Sequence, residues 1–449
     1  MPELKLASSF RANFLHLNFD EFSMGLAYGW TSPILNQLQN SSQDFYLTEE
    51  ECSWIASLHN VGRTIGPFVA ALLVDVIGRK LLLISSCLTF LLMWLVVLFT
   101  RNVWALYAVR TVFGIAVGMH DSISNIYIAE NSSPHLRGTF GSVAMAFFYG
   151  GELVAFILAT YLTYDQVAIT HASISFLFVM SEFWLREPVQ FLLMKGRYKL
   201  AEKNFYWLNG KESQSQIRFN EIVVNVQQEK QKVSWKQLLT SKANYLSLRV
   251  VLILSFLEMF TGFEAITSFA SMAFSSSDSL SQNEFTILFG FFQFISVCLS
   301  SIIIDKFNRR TLFLLSFAAS AIVHAITTAL YHFNQSVTPI PYFPWFIFVS
   351  ITLYSIIYSM GILPIYYILR GELFPQSMKA MGNCIGVVAN ALVGFITTKM
   401  FLWISTRFGM QFNFLLFSIV SVLAFIYVYF EVPETKGKTL VEIQKSLEN

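Results

Sequence analysis

Acidic side chains interrupt several long apolar stretches of this sequence. Glu258 and Glu264 lie in one stretch, and Glu152 lies in another. A charge is costly in the core of a bilayer, so an ionisable side chain there marks a solute or ion path by default. We interpret Glu258 and Glu264 as lining such a path, with a protonated or paired structural carboxyl as the alternative for each. Because they are six positions apart, one continuous helix would not turn both squarely to the same cavity.

A second group of ionisable side chains occupies two other apolar stretches. Asp20 and Glu21 are expected near the inner end of a first membrane span, and His120-Asp121 in the middle of a fourth. An imidazole at that depth could carry a proton or bind a polar solute. A satisfied internal pair is the alternative for His120-Asp121.

Charged turns recur along the chain in the same order. Carboxylates and guanidiniums at the ends of spans can form ion pairs that hold two halves together, and snorkelling charge that only sets topology is the alternative. Equivalent turns six spans apart predict two parallel halves, an architecture of carriers that rock around a midplane site. The two repeated pairs are Asp75-Val-Ile-Gly-Arg79-Lys80 with Asp305-Lys-Phe-Asn-Arg309-Arg310, and Glu130-x-x-x-Pro134-x-x-Arg137-Gly138 with Glu372-x-x-Pro375-x-x-x-Lys379.

The elements that position these groups are long apolar helices. Hydrophobic residues make up 55% of the 449 residues and charged residues 13%, whereas soluble proteins carry about 25% charge. Apolar segments of roughly 18 to 25 residues have the length needed to cross a bilayer core of about 30 Å. The predicted fold is therefore all-α and integral to the membrane, with twelve transmembrane helices in two six-helix halves. The predicted spans are 12–35, 52–74, 81–100, 104–128, 139–162, 167–186, 246–271, 285–304, 311–331, 342–369, 380–402 and 410–430.

Polar segments divide these spans into domains. The predicted domains are an N-terminal half, 1–186, a cytoplasmic helical linker, 187–245, a C-terminal half, 246–431, and a cytoplasmic tail, 432–449. The linker as a whole carries an excess of Lys over Glu and contains two helix-like stretches, Lys199–Leu208 and Gln214–Gln231. We interpret them as an amphipathic linker against anionic lipid, with a protein-docking role as the alternative.

Basic residues concentrate on one side of the predicted spans. Cytoplasmic loops carry an excess of Lys and Arg, so that side and both termini are predicted to be cytoplasmic, in a cell membrane. Asn40 and Asn334 begin Asn-x-Ser acceptors in predicted outer loops, and both are predicted to be glycosylated. A third acceptor, Asn131, falls on the inner side and is predicted to stay unmodified. The first residues lack the pattern of a cleavable signal peptide, so the first span is expected to act as the signal anchor.

Several function classes are excluded. The net charge of +2 does not suggest nucleic-acid binding. The four cysteines, Cys52, Cys87, Cys298 and Cys384, are dispersed, so neither a disulfide framework nor a zinc site is predicted. The sequence has no Gly-x-x-x-x-Gly-Lys-Ser/Thr loop for ATP, and no nucleophile motif stands out. We expect no enzyme activity, no cofactor and no metal, with membrane lipid and a small solute as partners of a monomeric transport unit.

Further motifs extend the charged turns over nearly the whole chain. The tail Val432-Pro-Glu-Thr-Lys-Gly-Lys-Thr-Leu440 is the most specific of them. In this order, the motifs resemble the sugar porter family of the major facilitator superfamily, and within it the insect facilitated trehalose transporter-like members. The other matching strings are Tyr28-Gly-Trp-Thr-Ser-Pro33, Trp54-Ile-Ala-Ser-Leu-His-Asn-Val-Gly62, Gly66-Pro67, Asp75 to Lys80, Arg110, Tyr127-Ile-Ala-Glu130, Arg137-Gly138, Lys195-Gly196-Arg197 and Gly371-Glu-Leu-Phe-Pro375.

The resemblance implies a gating network of ion pairs on the cytoplasmic side. It would act as a latch, closed when the solute site faces outward and broken when the site faces inward. Lys379 stands where the family usually has Arg, and Asn308 where it usually has Gly, so the second cluster is expected to be looser. The first cluster would contain Arg79, Glu130, Arg137 and Glu187, and the second Arg309, Glu372, Lys379 and Glu434.

The solute site departs from the family pattern. In the seventh span the family string Gln-Gln-Leu-Ser-Gly-Ile-Asn is replaced by Glu258-Met-Phe-Thr-Gly-Phe-Glu264. Met145 stands at the fifth-span Gln position, Tyr367 at the tenth-span Trp position and Ala391 at an eleventh-span Trp position. Gln293, Asn390 and Pro364 are retained, and Pro364 would break the tenth helix. The predicted solute-binding residues are Gln293, Asn390, Tyr367, Glu258, Glu264 and Met145.

The resemblance implies facilitative transport of a sugar, trehalose or hexose-like, by alternating access. Each missing hydrogen-bond partner removes on the order of 1 kcal/mol from a polyol site, so ordinary hexose affinity requires compensation elsewhere. Proton-coupled members carry an acid at the position of Gly29, and its absence favours passive transport. A proton-coupled or cationic-solute transporter that uses Glu258 and Glu264 is one alternative, and a non-transporting solute sensor is another.

Overall fold

A computed structural model describes residues 18–39, 45–131, 137–209, 213–228, 242–336, 339–374, 378–438 and 442. Across these ranges the regular structure is helical, and twelve helical spans match the predicted ones in order. The first six are 18–29 with Thr31–Gln39, Glu49–Ile77, Arg79–Phe99, Val103–Asn131, Arg137–Tyr161 and Tyr164–Glu182. The last six are Lys242–Met259 with Phe263–Ser268 and Ala270–Ala273, Gln282–Lys306, Arg309–Ser336, Phe343–Ile357 with Tyr358–Ile362 and Leu363–Glu372, Lys379–Phe408, and Met410–Glu431.

Ten of these helices are long and apolar enough to cross a membrane. The other two are the first span, whose described part is broken at Trp30, and the sixth, Tyr164–Glu182. Large apolar side chains such as Leu72, Phe99 and Phe430 are mostly exposed, because the lipid-facing surface of a membrane helix needs no polar cover. The Arg79 and Arg309 clusters lie at the same end of the bundle, which we call the charged end. We call the other end of the bundle the opposite end.

Three spans begin at the opposite end with the same local device. The second, sixth and eighth spans start with capping boxes at Thr48, Thr163 and Ser281. In the first of these, the backbone N–H of Thr48 donates to Glu51 Oε2 over 2.8 Å, and the N–H of Glu51 donates to Thr48 Oγ1 over 3.3 Å. Both bonds satisfy N–H groups that a helix start leaves without partners. The starts of these spans are therefore specified by local sequence.

The seventh and tenth spans are interrupted at mid-depth. The seventh stops at Met259 and resumes at Phe263, with Gly262 in the left-handed conformation at a φ of 88°. The tenth contains a π-helical turn, Tyr358–Ile362, and Pro364 lies at the second residue of the segment that follows. Pro364 thus starts a new helical segment after a π-turn, a local irregularity that often occurs at functional sites.

The second and fourth spans pack backbone against backbone. A Cβ atom on Gly62 would lie 1.9 Å from the carbonyl oxygen of Thr111, and one on Gly114 would lie 1.9 Å from the carbonyl oxygen of His59. Gly66 and Gly118 repeat the arrangement one turn further on. Small residues four apart are a common means of close approach between membrane helices.

Helices of the linker form a small core of their own. The helices are Val189–Met194, Tyr198–Asn209 and Ser213–Gln228. They bury Phe205 and Phe219 against one another, and the Arg186 guanidinium lies 4.0 Å from the centre of the Trp207 ring. Tyr198–Asn209 contains the predicted stretch Lys199–Leu208, whereas residues 229–231 of the second predicted stretch lie outside the described ranges.

Candidate solute site

A cavity lies between the two halves. The space within it, counting the part that is open to solvent, is about 830 Å³. The first, second, fourth and fifth spans contribute its wall from one half, and the seventh, tenth and eleventh spans from the other. Its lining residues are Glu21, Met24, Tyr28, Arg63, Val117, Asp121, Met145, Phe148, Tyr149, Glu152, Glu258, Met259, Phe263, Glu264, Thr267, Ser268, Tyr358, Leu363, Tyr366, Tyr367 and Asn390.

Glu258 accepts hydrogen bonds from two other spans. The Tyr358 hydroxyl of the tenth span donates to Oε1, and the Asn390 Nδ2 of the eleventh span donates to Oε2 over 2.7 Å. The Tyr358 ring stacks on Phe263 with 3.8 Å between ring centres. Both donors are neutral, and the Arg63 guanidinium acts on the carboxylate only from beyond ion-pair distance.

Glu264 lies on the other side of the break in the seventh span. Its Oε1 accepts a hydrogen bond of 2.5 Å from Asn60 Nδ2 of the second span, which belongs to the other half. Both Glu258 and Glu264 line the cavity, so the expectation that they could not both face it was wrong. The left-handed Gly262 interrupts the helix between them and resets the direction in which the second carboxylate points.

Arg63 is a cavity residue that the motif comparison did not identify. Its Nε lies 3.4 Å from Asp121 Oδ2, and its Nη1 donates to Asn390 Oδ1 over 3.4 Å. Since Asn390 also donates to Glu258, a polar chain runs from Asp121 through Arg63 and Asn390 to Glu258. The sequence signal for this residue is an arginine in the middle of an apolar stretch.

Glu152 and Gln293 meet where the fifth and eighth spans touch. Gln293 Nε2 donates to Glu152 Oε2 over 3.2 Å, and both side chains are buried. Glu152 lines the cavity, whereas Gln293 is not among the lining residues and lies behind it. Of the six predicted solute-binding residues, the structure therefore brings five to the cavity wall: Met145, Glu258, Glu264, Tyr367 and Asn390.

The acids of the first span surround His120. Its Nδ1 lies 3.3 Å from Asp20 Oδ2, and its Nε2 lies 3.3 Å from Glu21 Oε1. The imidazole therefore shares a hydrogen bond with Glu21 and lies within ion-pair distance of Asp20, both of the first span, whereas the adjacent Asp121 faces Arg63.

At the opposite end, hydrogen bonds close the cavity between the halves. Ser32 Oγ of the first span donates to Ser271 Oγ of the seventh over 3.1 Å and accepts from the Ser271 N–H over 2.9 Å. Asn36 Nδ2 donates to Asn283 Oδ1 over 3.1 Å. Ser53 of the second span donates to the carbonyl oxygen of residue 399 in the eleventh span over 3.0 Å. These contacts join the two halves above the cavity.

At the charged end, Arg79 is the centre of the first cluster. Its Nη2 donates to Glu130 Oε1 over 3.0 Å and its Nη1 to Asp75 Oδ1 over 3.1 Å. Glu187 Oε1 accepts from the backbone N–H groups of Arg79 and Lys80 over 2.6 and 3.3 Å, so a carboxylate caps the start of the third span, where the helix dipole favours negative charge. Burial raises the pKa of Glu187, and the two N–H donors oppose that shift.

The second cluster repeats this arrangement. Arg309 Nη1 pairs with Glu372 Oε2, and Glu434 caps the start of the ninth span by accepting from the N–H groups of Arg309 and Arg310 over 3.2 and 3.0 Å. The ion pairs that both clusters form in the described part of the chain join spans of the same half. The side chains of Arg137 and Lys379 lie outside what the structure describes.

One of the two predicted glycosylation sites is described. Asn334 lies near the end of the ninth span, at the opposite end, and its Oδ1 accepts from the Ile340 N–H over 3.0 Å. Asn40 lies outside the described ranges.

Comparison with known proteins gives a consistent family. The family model for sugar (and other) transporters matches residues 15–447. The facilitated trehalose transporter Tret1 of Polypedilum vanderplanki is 26% identical over 428 residues, which cover 94% of this chain and 85% of that protein. The Tret1 of Bombyx mori is 27% identical over 429 residues, covering 95% and 84%.

Solved structures share the fold. The xylose transporter XylE from E. coli in an inward open conformation has a TM-score of 0.78 and 19% identity, covering 97% of this chain and 98% of that one. A partially occluded inward open conformation of XylE has a TM-score of 0.80 at 19% identity, covering 96% and 100%. These similarities confirm the predicted twelve-helix architecture in two halves. The chain therefore belongs to the sugar (and other) transporter family, a family of transporters and not of enzymes, and is a multi-pass membrane protein with the major facilitator fold.

Proposed function

We propose that this protein carries a sugar-like small solute across the cell membrane by alternating access. The observation that carries the proposal is the cavity between the halves, which hydrogen bonds close at the opposite end. The cluster ion pairs stay within each half at the charged end. This combination is what a carrier needs in the state whose site faces the charged end. The names of the Tret1 relatives support a sugar-like solute.

The charged end is assigned to the cytoplasm. Basic residues mark the cytoplasmic side of multi-pass proteins, and Arg79, Lys80, Arg309 and Arg310 lie there. Asn334 lies at the opposite end, which supports an outer location for that end. An outer location is also what glycosylation of Asn40 and Asn334 requires. Both termini are then cytoplasmic. The linker, 187–245, which joins the halves 1–186 and 246–431, and the tail, 432–449, lie on the same side.

The clusters are proposed to act as the cytoplasmic latch. When the site opens outward, the Arg79 and Arg309 clusters would approach and exchange contacts across the halves, and Arg137 and Lys379 are placed by the repeat to take part. Solute contacts are assigned to Asn390, Tyr367, Glu258, Glu264 and Met145, with Gln293 positioning Glu152. Solute binding would stabilise the occluded state between the two open forms.

Uptake into proteoliposomes tests the function. We expect saturable uptake of at least one member of a panel of trehalose, glucose, fructose, polyols and amines, and competition among members that share the site. Empty liposomes and liposomes with heat-denatured protein are the controls. If every compound enters at the control rate, the protein is not a carrier of these solutes, and the sensor alternative gains support.

A cysteine pair should lock the carrier. In Ser32→Cys/Ser271→Cys, two side chains whose oxygens lie 3.1 Å apart become thiols within reach of a disulfide. The background is Cys298→Ser/Cys384→Ser, because Cys298 is exposed and Cys384 is partly exposed. Oxidation should stop uptake by holding the opposite end closed, and dithiothreitol should restore it. Each single-cysteine variant is a control, and full uptake by protein whose cross-link is verified by mass would contradict alternating access at this end.

A further inference from the structure

We infer that the transported solute carries a protonated amine, so that its class is an amino sugar or another hydroxylated amine. This inference rests on the proposed carrier function and specifies its substrate. Three carboxylates of the cavity, Glu152, Glu258 and Glu264, are 2%, 0% and 8% exposed. Among the described residues, none of the three has a basic group within the 4.0 Å of an ion pair.

The other charges of the cavity already have partners. Asp121 lies 3.4 Å from Arg63 and offsets its charge. Glu21 lies 3.3 Å from His120. Arg63 also acts on Glu258 and Glu264 at longer range, and the buried Arg110 acts on Glu264. Neither guanidinium lies within ion-pair distance of Glu152, Glu258 or Glu264.

The partners of the three carboxylates are all neutral. Glu152 has one hydrogen bond, from Gln293, at 3.2 Å, and its other oxygen has no partner in the described part of the structure. Glu264 has one hydrogen bond, from Asn60. A carboxylate offers about four acceptor positions, and burying its charge without a cation is strongly unfavourable. In their ionised form these carboxylates therefore have no cation at ion-pair distance, and an ammonium group on the solute supplies both that charge and three N–H donors.

Aromatic rings from both halves border the same cavity. Tyr28 and Phe148 of the first half meet edge to face at 5.2 Å, and Phe263 and Tyr358 of the second half stack at 3.8 Å. Ring faces attract ammonium groups, and they also cover the apolar side of a sugar ring. Carboxylates combined with aromatic rings are suited to an amine on a hydroxylated ring better than to a neutral hexose alone.

Comparing glucosamine with N-acetylglucosamine tests the contribution of the amine apart from that of the rest of the sugar. Acetylation removes the positive charge and keeps the ring and its other hydroxyls. In proteoliposomes at equal pH inside and outside, we expect radiolabelled glucosamine to be taken up with a KM at least about tenfold below that of glucose. Unlabelled N-acetylglucosamine should compete at least about tenfold less well than unlabelled glucosamine. This comparison uses the wild-type chain, so it does not depend on a variant that folds.

Charge-removing variants locate the effect. Glu152→Gln and Glu258→Gln keep side-chain shape and should each raise the KM for glucosamine about tenfold or more, with a smaller change for glucose. Asp278→Asn is the matched control, because Asp278 is exposed and is not a lining residue of the cavity, and it should leave both KM values unchanged.

Three results would overturn the inference. Equal KM values for glucose and glucosamine, with no effect of the variants, would leave the carrier function standing and remove the amine requirement. Uptake of neutral sugar that needs an inward acid gradient would show that protons neutralise the carboxylates in place of the solute. Uptake of neither sugar above empty liposomes would contradict the carrier function itself.

Discussion

Replacing Gly114 with alanine should destroy the folded protein, although the change adds one methyl group. The new Cβ would lie 1.9 Å from the carbonyl oxygen of His59 and 2.8 Å from the backbone nitrogen of Arg63. These are backbone atoms of a long helix, so they cannot rotate away as a side chain would. Overpacking a well-packed interior costs about 1–3 kcal/mol, and here we expect the upper limit or more because the second and fourth spans must separate.

Gly141→Ala is the matched control for this prediction. It makes the same substitution in a helix, but a Cβ atom there would have nothing within 4 Å. Removing a helical glycine should stabilise it by about 0.5–1 kcal/mol. Size-exclusion profiles and thermal unfolding of detergent-solubilised protein measure the difference. If Gly114→Ala remains monodisperse with the melting temperature of Gly141→Ala, the close packing of these two spans is wrong.

Arg63→Leu should abolish transport and destabilise the protein by about 3 kcal/mol, the lower part of the range for breaking a buried ion pair. The Arg63 side chain is 8% exposed and that of Asp121 is 25% exposed. Because solvent reaches the pair in part, we expect a loss of stability in the lower part of that range. The variant leaves Asp121 without the Arg63 charge and removes the donor to Asn390 Oδ1. Because Asn390 also orients Glu258, the loss extends to the other half.

A double variant separates the effect of the charge from the effect of the side-chain shape. Arg63→Leu/Asp121→Leu should recover most of the lost stability, because two apolar groups replace a buried pair with little penalty. Transport should stay absent, because the link to Asn390 is still missing. Arg63→Lys keeps the charge and should fall between the wild type and Arg63→Leu in thermal stability. Equal melting temperatures for Arg63→Leu and the wild type would show that the pair does not contribute to stability.

Much of the fold could be predicted because membrane spans are long and uniform. The lengths of apolar segments placed all twelve spans in order, and the repeated turns around Arg79 and Arg309 predicted two related halves. A charged turn next to an apolar segment is local information, and so is a capping box such as Thr48 with Glu51. These features need no knowledge of distant contacts.

The interior of the site needed more than local patterns. Gly262 lies in an apolar run, and only its φ of 88° reveals that the seventh span turns there and presents both Glu258 and Glu264 to one cavity. The pairing of Glu152 with Gln293 joins residues 141 positions apart. The residue type of Arg63 marks it within an apolar stretch, but its partners on the fourth and eleventh spans depend on the packing of the bundle.

The carboxylate caps have a consequence for biosynthesis. Glu187 accepts a hydrogen bond from the N–H of Arg79, 108 positions earlier, and Glu434 accepts one from the N–H of Arg309, 125 positions earlier. Each half is therefore stabilised by a glutamate that follows its own last span. Domains form in order as the chain emerges from the ribosome. The first half can thus be completed before any of the seventh span has been made, and we expect the two halves to be assembled one after the other rather than together.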